Sequence, residues 1–217
     1  MVEEYVEGLQ FGCEIHGVNG KHEVLPPFIF SVNKYGITSP KQSVKLGPVT
    51  DEKFHIDELK KELSRLAEEM CFNGIAQVDL VFSNNTWYII EINPRLSGMS
   101  ELYAASSNKS LYKMILELAL AKQNESSELE CVCNFKLPLI SEDKMNELHI
   151  LPFIKYVNQI NNVSAKQLRE RGYCEIIFGG TSSFKELQEQ LDLIAQKFPE
   201  IIEPVFLQNA KELFTKI

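Results

Sequence analysis

The chain has 217 residues, of which 44% are hydrophobic and 24% charged, and its formal net charge is −8 at pH 7. This length allows one large domain or two small ones with a full core, and the acidic balance argues against a broad nucleic-acid-binding surface. No apolar run approaches the roughly 20 residues that cross a bilayer, and the N-terminus lacks the basic segment of a signal peptide, so we expect a cytoplasmic protein with no membrane partner.

The cysteines indicate a reducing compartment. There are five of them, an odd number, in a chain too long to need disulfide staples. Free thiols are therefore favoured over disulfides or a zinc site.

Strand patterns dominate the first 32 residues, and Asn19-Gly20 between two of them predicts a hairpin turn. Strands are expected at Glu3–Val6, Phe11–His16, His22–Leu25 and Phe28–Val32. Residues 33–53 are polar, with glycines and prolines, and are expected to form a long loop. Apolar residues at helical spacing then predict a helix from Ile56 to Cys71.

A hairpin with polar residues on one face follows that helix. Gln77–Phe82 and Trp87–Arg95 are expected to contain its two strands, joined by a turn at residues 83–86. Glu91 and Asn93 project from the same face of the second strand, and simple pairing brings Asp79 to their level on that side. Two carboxylates and an amide oxygen are hard ligands that suit Mg²⁺ and, through it, nucleotide phosphates.

Two interpretations of this face are weighed. A solvated strand face would need no ligand, but the apolar run Tyr88-Ile89-Ile90 before Glu91 is unexpected on an outer edge, and burying a carboxylate without a partner is costly. The metal site is therefore favoured. Arg95 either forms an ion pair with Glu91 or stabilises a phosphoryl group or oxyanion.

At these residues the chain resembles the ATP-grasp superfamily of carboxylate ligases, in particular its carbamoyl-phosphate-synthase and biotin-carboxylase branch. The shared pattern is an acidic residue, E-x-N-P-R about a dozen positions later, and then a loop of small residues. The resemblance implies ATP and Mg²⁺ as cofactors, with Mn²⁺ as an alternative metal. It assigns metal binding to Asp79, Glu91 and Asn93, and catalysis to Arg95. Ser97 and Gly98 correspond to the small-residue loop, which runs past the active site into a helix.

The N-terminus resembles the family's adenine-binding hinge. That resemblance implies that the carbonyl of Glu4 accepts a hydrogen bond from the adenine amino group and that the N–H of Val6 donates one to the ring. Gln10 stands where many members have a ribose-binding Glu, and Asp79 lies 69 positions later, which suits the family. The alternative is a solvated acidic face.

The rest of the chain carries no catalytic constellation. After a polar linker at residues 123–127, Gly179-Gly180-Thr181 with two serines is interpreted as a tight turn and helix N-cap, because it lacks the lysine and spacing of a P-loop. Helices are expected at Ser110–Lys122 and Phe184–Lys197, and strands at Cys131–Leu139, His149–Val157 and Cys174–Phe178.

The predicted fold class is α+β. Residues 1–127 are expected to be the C-terminal half of an ATP-grasp fold, an antiparallel sheet with helices, and residues 128–217 a small C-terminal α/β domain. The resemblance implies ATP-dependent ligation of a small carboxylate to an amine-type nucleophile through an acyl phosphate.

In the family, a glycine-rich lid and two phosphate-binding lysines precede the hinge. We therefore expect this chain to be inactive alone, with the N-terminal half of the enzyme supplied in cis or in trans. A subunit of a split carbamoyl-phosphate-synthase-like enzyme and a non-catalytic nucleotide-binding or regulatory module stay open, as does a homodimer.

Overall fold

The computed structural model describes residues 4–32, 43–121, 128–160 and 172–217. Within these ranges the chain has a mixed α/β fold, with nine strands and six α-helices, and its paired strands run antiparallel. This confirms the predicted fold class. No helix in the described ranges is both long enough and apolar enough to cross a membrane.

The elements are numbered in chain order. The strands are β1 (Leu9–Val18), β2 (Lys21–Val24), β3 (Phe28–Phe30), β4 (Ser43–Gly47), β5 (Gly74–Ser83), β6 (Thr86–Asn93), β7 (Cys131–Leu137), β8 (Ile154–Ile160) and β9 (Tyr173–Thr181). The α-helices are α1 (Ile56–Glu69), α2 (Gly98–Ser106), α3 (Leu111–Ala119), α4 (Glu142–His149), α5 (Phe184–Lys197) and α6 (Pro204–Phe214). A short 3₁₀ turn at Glu52–Phe54 precedes α1.

The chain divides into two compact units. The first comprises Met1–Ile29 and Pro48–Leu129, and the second comprises Phe30–Gly47 and Glu130–Ile217. The predicted functional division into residues 1–127 and 128–217 stays a prediction.

In the first unit, the strands follow the order β6-β5-β1-β3, to which β3 contributes Phe28 and Ile29, and β2 also pairs with β1. Asn19 and Gly20 both have positive φ (52° and 76°), as a tight hairpin turn between β1 and β2 requires. Helix α1 buries Leu59, Leu63 and Ala67, which recur every four residues, and it packs on β1 and β2.

The second unit contains the order β4-β7-β9-β8. Helix α5 packs on β9 and α6 packs on β4. Phe135 on β7 contacts Phe178 on β9 with ring centroids 5.6 Å apart, and it also meets Phe206 on α6 at 6.4 Å. These aromatic rings form the centre of this unit's core.

Several predicted elements differ from the structure. Glu4–Glu7 are not in a strand, since β1 begins at Leu9, and the predicted loop contains β4. His149 is the last residue of α4, whose N-cap is Ser141, and the strand predicted to start at His149 begins at Ile154. Residues 33–42 of the predicted loop and the predicted linker lie outside the described residues.

Candidate functional site

The β5–β6 hairpin brings the two predicted carboxylates together. Its turn residues Asn84 and Asn85 both have positive φ, 49° and 59°. In the resulting register Asp79 lies directly opposite Glu91, and Asn93 lies opposite Gln77, with a bulge after Asp79. Since directly opposed residues share a face of the sheet, all four side chains lie on one side.

Each carboxylate is held by an amide two positions away on its own strand. Asn93 Nδ2 donates to Glu91 Oε1 at 2.6 Å, and Gln77 Nε2 donates to Asp79 Oδ1 at 2.7 Å. These bonds use the amide N–H groups, so the amide oxygens, like the carboxylates, can bind a cation. The donor set of two carboxylates with amide oxygens fits a hard ion such as Mg²⁺.

The expectation that β6 is an inner strand is wrong. It is the end strand of the order β6-β5-β1-β3, and Tyr88, Ile89 and Ile90 are 39%, 46% and 52% exposed. Apolar residues are common on protein surfaces, so their presence does not place a strand inside. Glu91 is exposed as well, and the case for a metal site therefore depends on the shared face rather than on burial.

The protein supplies only part of a metal coordination sphere here. Among the described residues, no group of three His, Cys, Asp or Glu side chains is arranged to hold a metal ion. An ion at Asp79, Glu91 and Asn93 would need further oxygens, which Mg²⁺ commonly takes from water and nucleotide phosphates.

Arg95 lies just beyond β6 and is exposed. Its N–H donates to the carbonyl of Asn93 at 2.8 Å, and its Nη1 donates to the carbonyl of Leu96 at 3.3 Å. It forms no ion pair with Glu91 in the described part of the chain. The simple ion-pair interpretation is therefore not what the structure shows, while the catalytic role stays a prediction.

Ser97 and Gly98 begin a helix, so the predicted small-residue loop is shorter than expected. Ser97 is the N-cap of α2: its Oγ accepts from the N–H of Met99 at 3.0 Å, and Ser100 Oγ accepts from the N–H of Ser97 at 3.2 Å. This reciprocal capping satisfies N–H groups that a helix leaves unpaired, which explains why small polar residues start a helix here.

Two further residues lie on this face and are not among the site residues predicted from the sequence. Gly12 and Glu14 on β1 lie opposite Asp79 and Gln77, so they share their face. Glu14 is fully buried and accepts bonds from His16 on β1 and from both serines of the α2 cap. The available signal is Glu14 itself, the single carboxylate in β1, whose residues are mostly apolar.

The residues predicted to bind adenine and ribose lie at the start of this unit. Glu4 is exposed and Val6 half-buried, both before β1, and Gln10 on β1 shares the face of Asp79 by the β1–β5 register. A Cβ on Gly8 would come within 2.5 Å of the Phe82 carbonyl oxygen, so the chain approaches the end of β5 closely at this glycine. Nucleotide contacts of Glu4, Val6 and Gln10 stay predictions.

Comparison with known proteins identifies this part of the fold. Residues 1–99 match the family model of the ATP-grasp domain. These residues are therefore similar to an ATP-grasp domain. This confirms the resemblance found in the sequence.

Curated relatives include carbamoyl phosphate synthases. The large chain from Deinococcus radiodurans is 27% identical over 138 residues, covering 64% of this chain and 13% of the relative. A C-terminal section of the large chain from Aquifex aeolicus is 24% identical over 104 residues, covering 48% of this chain and 19% of the relative.

Solved structures share the fold over most of the chain. An L-amino acid ligase from Bacillus licheniformis matches with a TM-score of 0.65 and 18% identity, covering 91% of this chain and 52% of that one. A biotin carboxylase complex from Campylobacter jejuni also gives a TM-score of 0.65, with 13% identity, covering 95% and 52%. The chain therefore spans about half the length of these structures and a small part of the two curated relatives.

Proposed function

We propose that this chain is part of an ATP- and Mg²⁺-dependent ligase that joins a carboxylate to an amine-type nucleophile. The observation that carries the proposal is the direct pairing of Asp79 with Glu91, with Asn93 on the same face, inside a chain segment that matches an ATP-grasp domain. Carboxylates opposed across a hairpin repel each other without a cation, and a bound divalent ion removes that repulsion.

Each residue then has a proposed role. Asp79, Glu91 and Asn93 hold the metal ion, whose charge would neutralise the phosphates when bound. Arg95, exposed at the end of β6, stabilises negative charge on the transferred phosphoryl group. Glu4 and Val6 offer a backbone C=O and N–H to the adenine edge, and Gln10 contacts the ribose.

The proposed reaction has two steps. A carboxylate oxygen of the substrate attacks the γ-phosphorus of ATP, and the bond to the bridging oxygen breaks to release ADP. The amine nitrogen then attacks the carbonyl carbon of the acyl phosphate, phosphate leaves, and the nitrogen loses a proton. The substrate class proposed is an amino acid or peptide, and the rest of the ligase comes in cis or in trans.

A split enzyme is the second candidate. One curated relative, of which the match covers 19%, is named as the C-terminal section of a carbamoyl phosphate synthase large chain, which supports the idea that such large chains occur in sections. Under that candidate the same metal residues act, and the missing half is a separate polypeptide.

Manganese binding by the chain tests the proposed metal site. Free Mn²⁺ is followed by electron paramagnetic resonance while the unmodified chain and the variants Asp79→Asn and Glu91→Gln are titrated. Each variant is expected to weaken Mn²⁺ binding by about tenfold or more, since even residues behind the ligands commonly contribute that much.

Glu62→Gln is the matched control, because Glu62 is an exposed carboxylate on α1 paired with Arg65 at 2.6 Å. It should bind Mn²⁺ as the unmodified chain does. Equal binding by all four proteins, or no binding by any, would rule out the metal site.

A further inference from the structure

Glu14 is a carboxylate with no access to water. Its side chain is 0% exposed in the middle of β1, between the buried residues Cys13 and Ile15. Burying a charged group without partners costs many kcal/mol, so such a residue persists only where its partners are provided. Glu14 therefore needs polar partners within the fold.

Two elements supply its partners. His16 Nε2 on β1 lies 3.0 Å from Glu14 Oε2, and on the α2 side Ser100 Oγ donates to Oε1 at 2.5 Å and Ser97 Oγ at 3.3 Å. Three groups thus converge on one carboxylate. An ionised carboxylate can accept all three hydrogen bonds at its two oxygens.

The hydroxyls of Ser97 and Ser100 each have one proton to donate. Ser97 Oγ accepts the N–H of Met99, and Ser100 Oγ accepts the N–H of Ser97. Because each hydroxyl uses a lone pair for a backbone N–H, its single proton is available to Glu14. The carboxylate therefore completes the N-cap of α2, where the helix dipole also favours a negative charge.

This anchor lies beside the proposed metal residues. Ser97 follows Arg95 by two positions and Asn93 by four, and the segment has a tight bend in which the N–H of Arg95 bonds to the carbonyl of Asn93. Glu14 also faces Gln77 across β1–β5, and Gln77 holds Asp79. Both ends of the corner that carries Asn93 and Arg95 are thus tied, one to β5 by the ladder and one to β1 by Glu14.

We propose that Glu14 is a positioning residue for the ligase site: by holding the N-terminus of α2 on β1, it fixes the segment from Asn93 to Ser97 so that the amide of Asn93 and the guanidinium of Arg95 stay in place beside Asp79 and Glu91. The inference rests on the proposed function. It assigns no contact with substrate or metal to Glu14 itself.

The test compares Glu14→Gln with a buried carboxylate elsewhere. A glutamine keeps the size of Glu14 but has one acceptor oxygen and an NH₂ group, so it cannot accept from all three partners. Glu175 on β9 is the matched control: it is 6% exposed, accepts from Asn134 Nδ2 at 3.0 Å, and lies in the second unit. Glu175→Gln therefore reports what loss of a buried carboxylate does to stability alone.

Two measurements are made on each protein by ¹H–¹⁵N NMR: the amide signals of residues 95–100, and the Mn²⁺ concentration that broadens the signals of Asp79, Glu91 and Asn93. Glu14→Gln should shift the first set, speed its hydrogen exchange and raise the required Mn²⁺ concentration about tenfold, the size expected for loss of a residue behind the ligands. Glu175→Gln should leave both unchanged. Ser100→Ala, a milder change, should move both in the same direction.

The outcomes separate the two proposals. If the unmodified chain binds Mn²⁺ and both Glu14→Gln and Ser100→Ala bind it equally well, the positioning role is wrong while the metal site stands. If Glu175→Gln weakens binding as much as Glu14→Gln, the effect is one of stability and the inference is overturned. If the unmodified chain shows no broadening at Asp79, Glu91 and Asn93, the proposed function fails and the inference with it. Should Glu14→Gln not fold, Ser100→Ala alone decides.

Discussion

Burial changes the chemistry of the cysteines residue by residue. All five are free thiols, and Cys71 is exposed while Cys13, Cys133 and Cys174 are buried. Burial raises the pKa of the Cys133 thiol well above its ordinary value, and burial with the nearby Glu175 raises that of Cys174 to about 12. The buried thiols therefore stay neutral and unreactive in the fold, as expected of free thiols that pack as small apolar groups.

The raised pKa of Cys133 predicts a loss of stability in alkaline solution. The unfolded thiol ionises near pH 8.5 whereas the folded one does not, so the folded state keeps a proton that the unfolded state releases. The stability that the neutral folded thiol contributes is fully present below the pKa of the unfolded thiol, and it is lost as the pH rises above that value. By pH 10 this should lower the free energy of unfolding by about 2 kcal/mol relative to pH 7.

Urea unfolding of the unmodified chain and of Cys133→Ala at pH 7 and pH 10 checks this. Cys133→Ala should be less stable than the unmodified chain at both pH values, because the substitution leaves a cavity. Between pH 7 and pH 10, however, its free energy of unfolding should fall by about 2 kcal/mol less than that of the unmodified chain. An equal pH dependence in the two proteins would contradict a neutral buried thiol at Cys133.

At the scale of elements, two glycines with positive φ differ in what surrounds them. Gly20, in the β1–β2 turn, has φ 76° and open space around an added Cβ. Gly179, on β9 next to the β7–β9 bulge, has φ 132°, and an added Cβ would lie 2.8 Å from the Val132 Cα and 3.0 Å from Leu187 Cδ1. The second position is restricted by both conformation and space.

Gly20→Ala should therefore cost about 1 kcal/mol, the ordinary penalty of a side chain in left-handed backbone. Gly179→Ala should cost about 3 kcal/mol or more, because strain and overpacking add. Thermal or urea unfolding measures both. If the two variants lose similar amounts of stability, β7 and α5 do not pack against Gly179 as closely as in the structure.

The elements that sequence analysis found are those with long periodic patterns. Helix α1, the β5–β6 hairpin and α5 each repeat apolar residues at the spacing of their type, and the structure has all three. The family resemblance predicts a loop of small residues where the structure has helix α2, whose serines and alanines form no apolar stripe. Its start depends on the Ser97–Ser100 capping and on Glu14, a contact 83 positions away in the chain.

The candidate site, like the fold, is predictable from the sequence only where it depends on local patterns. The shared face of Asp79, Glu91 and Asn93 follows from alternation along two short strands and one turn, which are local in sequence. Strand β4 forms by pairing with β7, which is distant in the chain. Glu91 is exposed because β6 lies at the end of the strand order, and that order also depends on distant parts of the chain. Alternation therefore predicts which residues share a face, and tertiary pairing decides whether that face is buried.

At the scale of the whole molecule, the residues proposed to bind nucleotide all belong to the first unit. Glu4, Val6 and Gln10 belong to the N-terminal segment and β1, and the metal candidates to the adjoining hairpin, so the proposed adenine and phosphate ends lie along one sheet. The net charge of −8 opposes a polyphosphate, and Arg95 is a cation that the described residues place beside the proposed site. The resemblance described above implies that a lid and two lysines ahead of the proposed hinge supply further positive charge.

We therefore expect this chain alone to bind Mg²⁺-ATP more weakly than about 1 mM, which corresponds to less than about 4 kcal/mol of binding free energy, and to release no ADP. Isothermal titration calorimetry measures the binding, with Glu91→Gln as the control for metal-dependent heat. Mn²⁺ binding without nucleotide should persist, because its residues all lie on the β5–β6 hairpin. Tight Mg²⁺-ATP binding that Glu91→Gln abolishes would contradict this expectation and would favour a nucleotide-binding module, since the affinity would then reside in this chain alone.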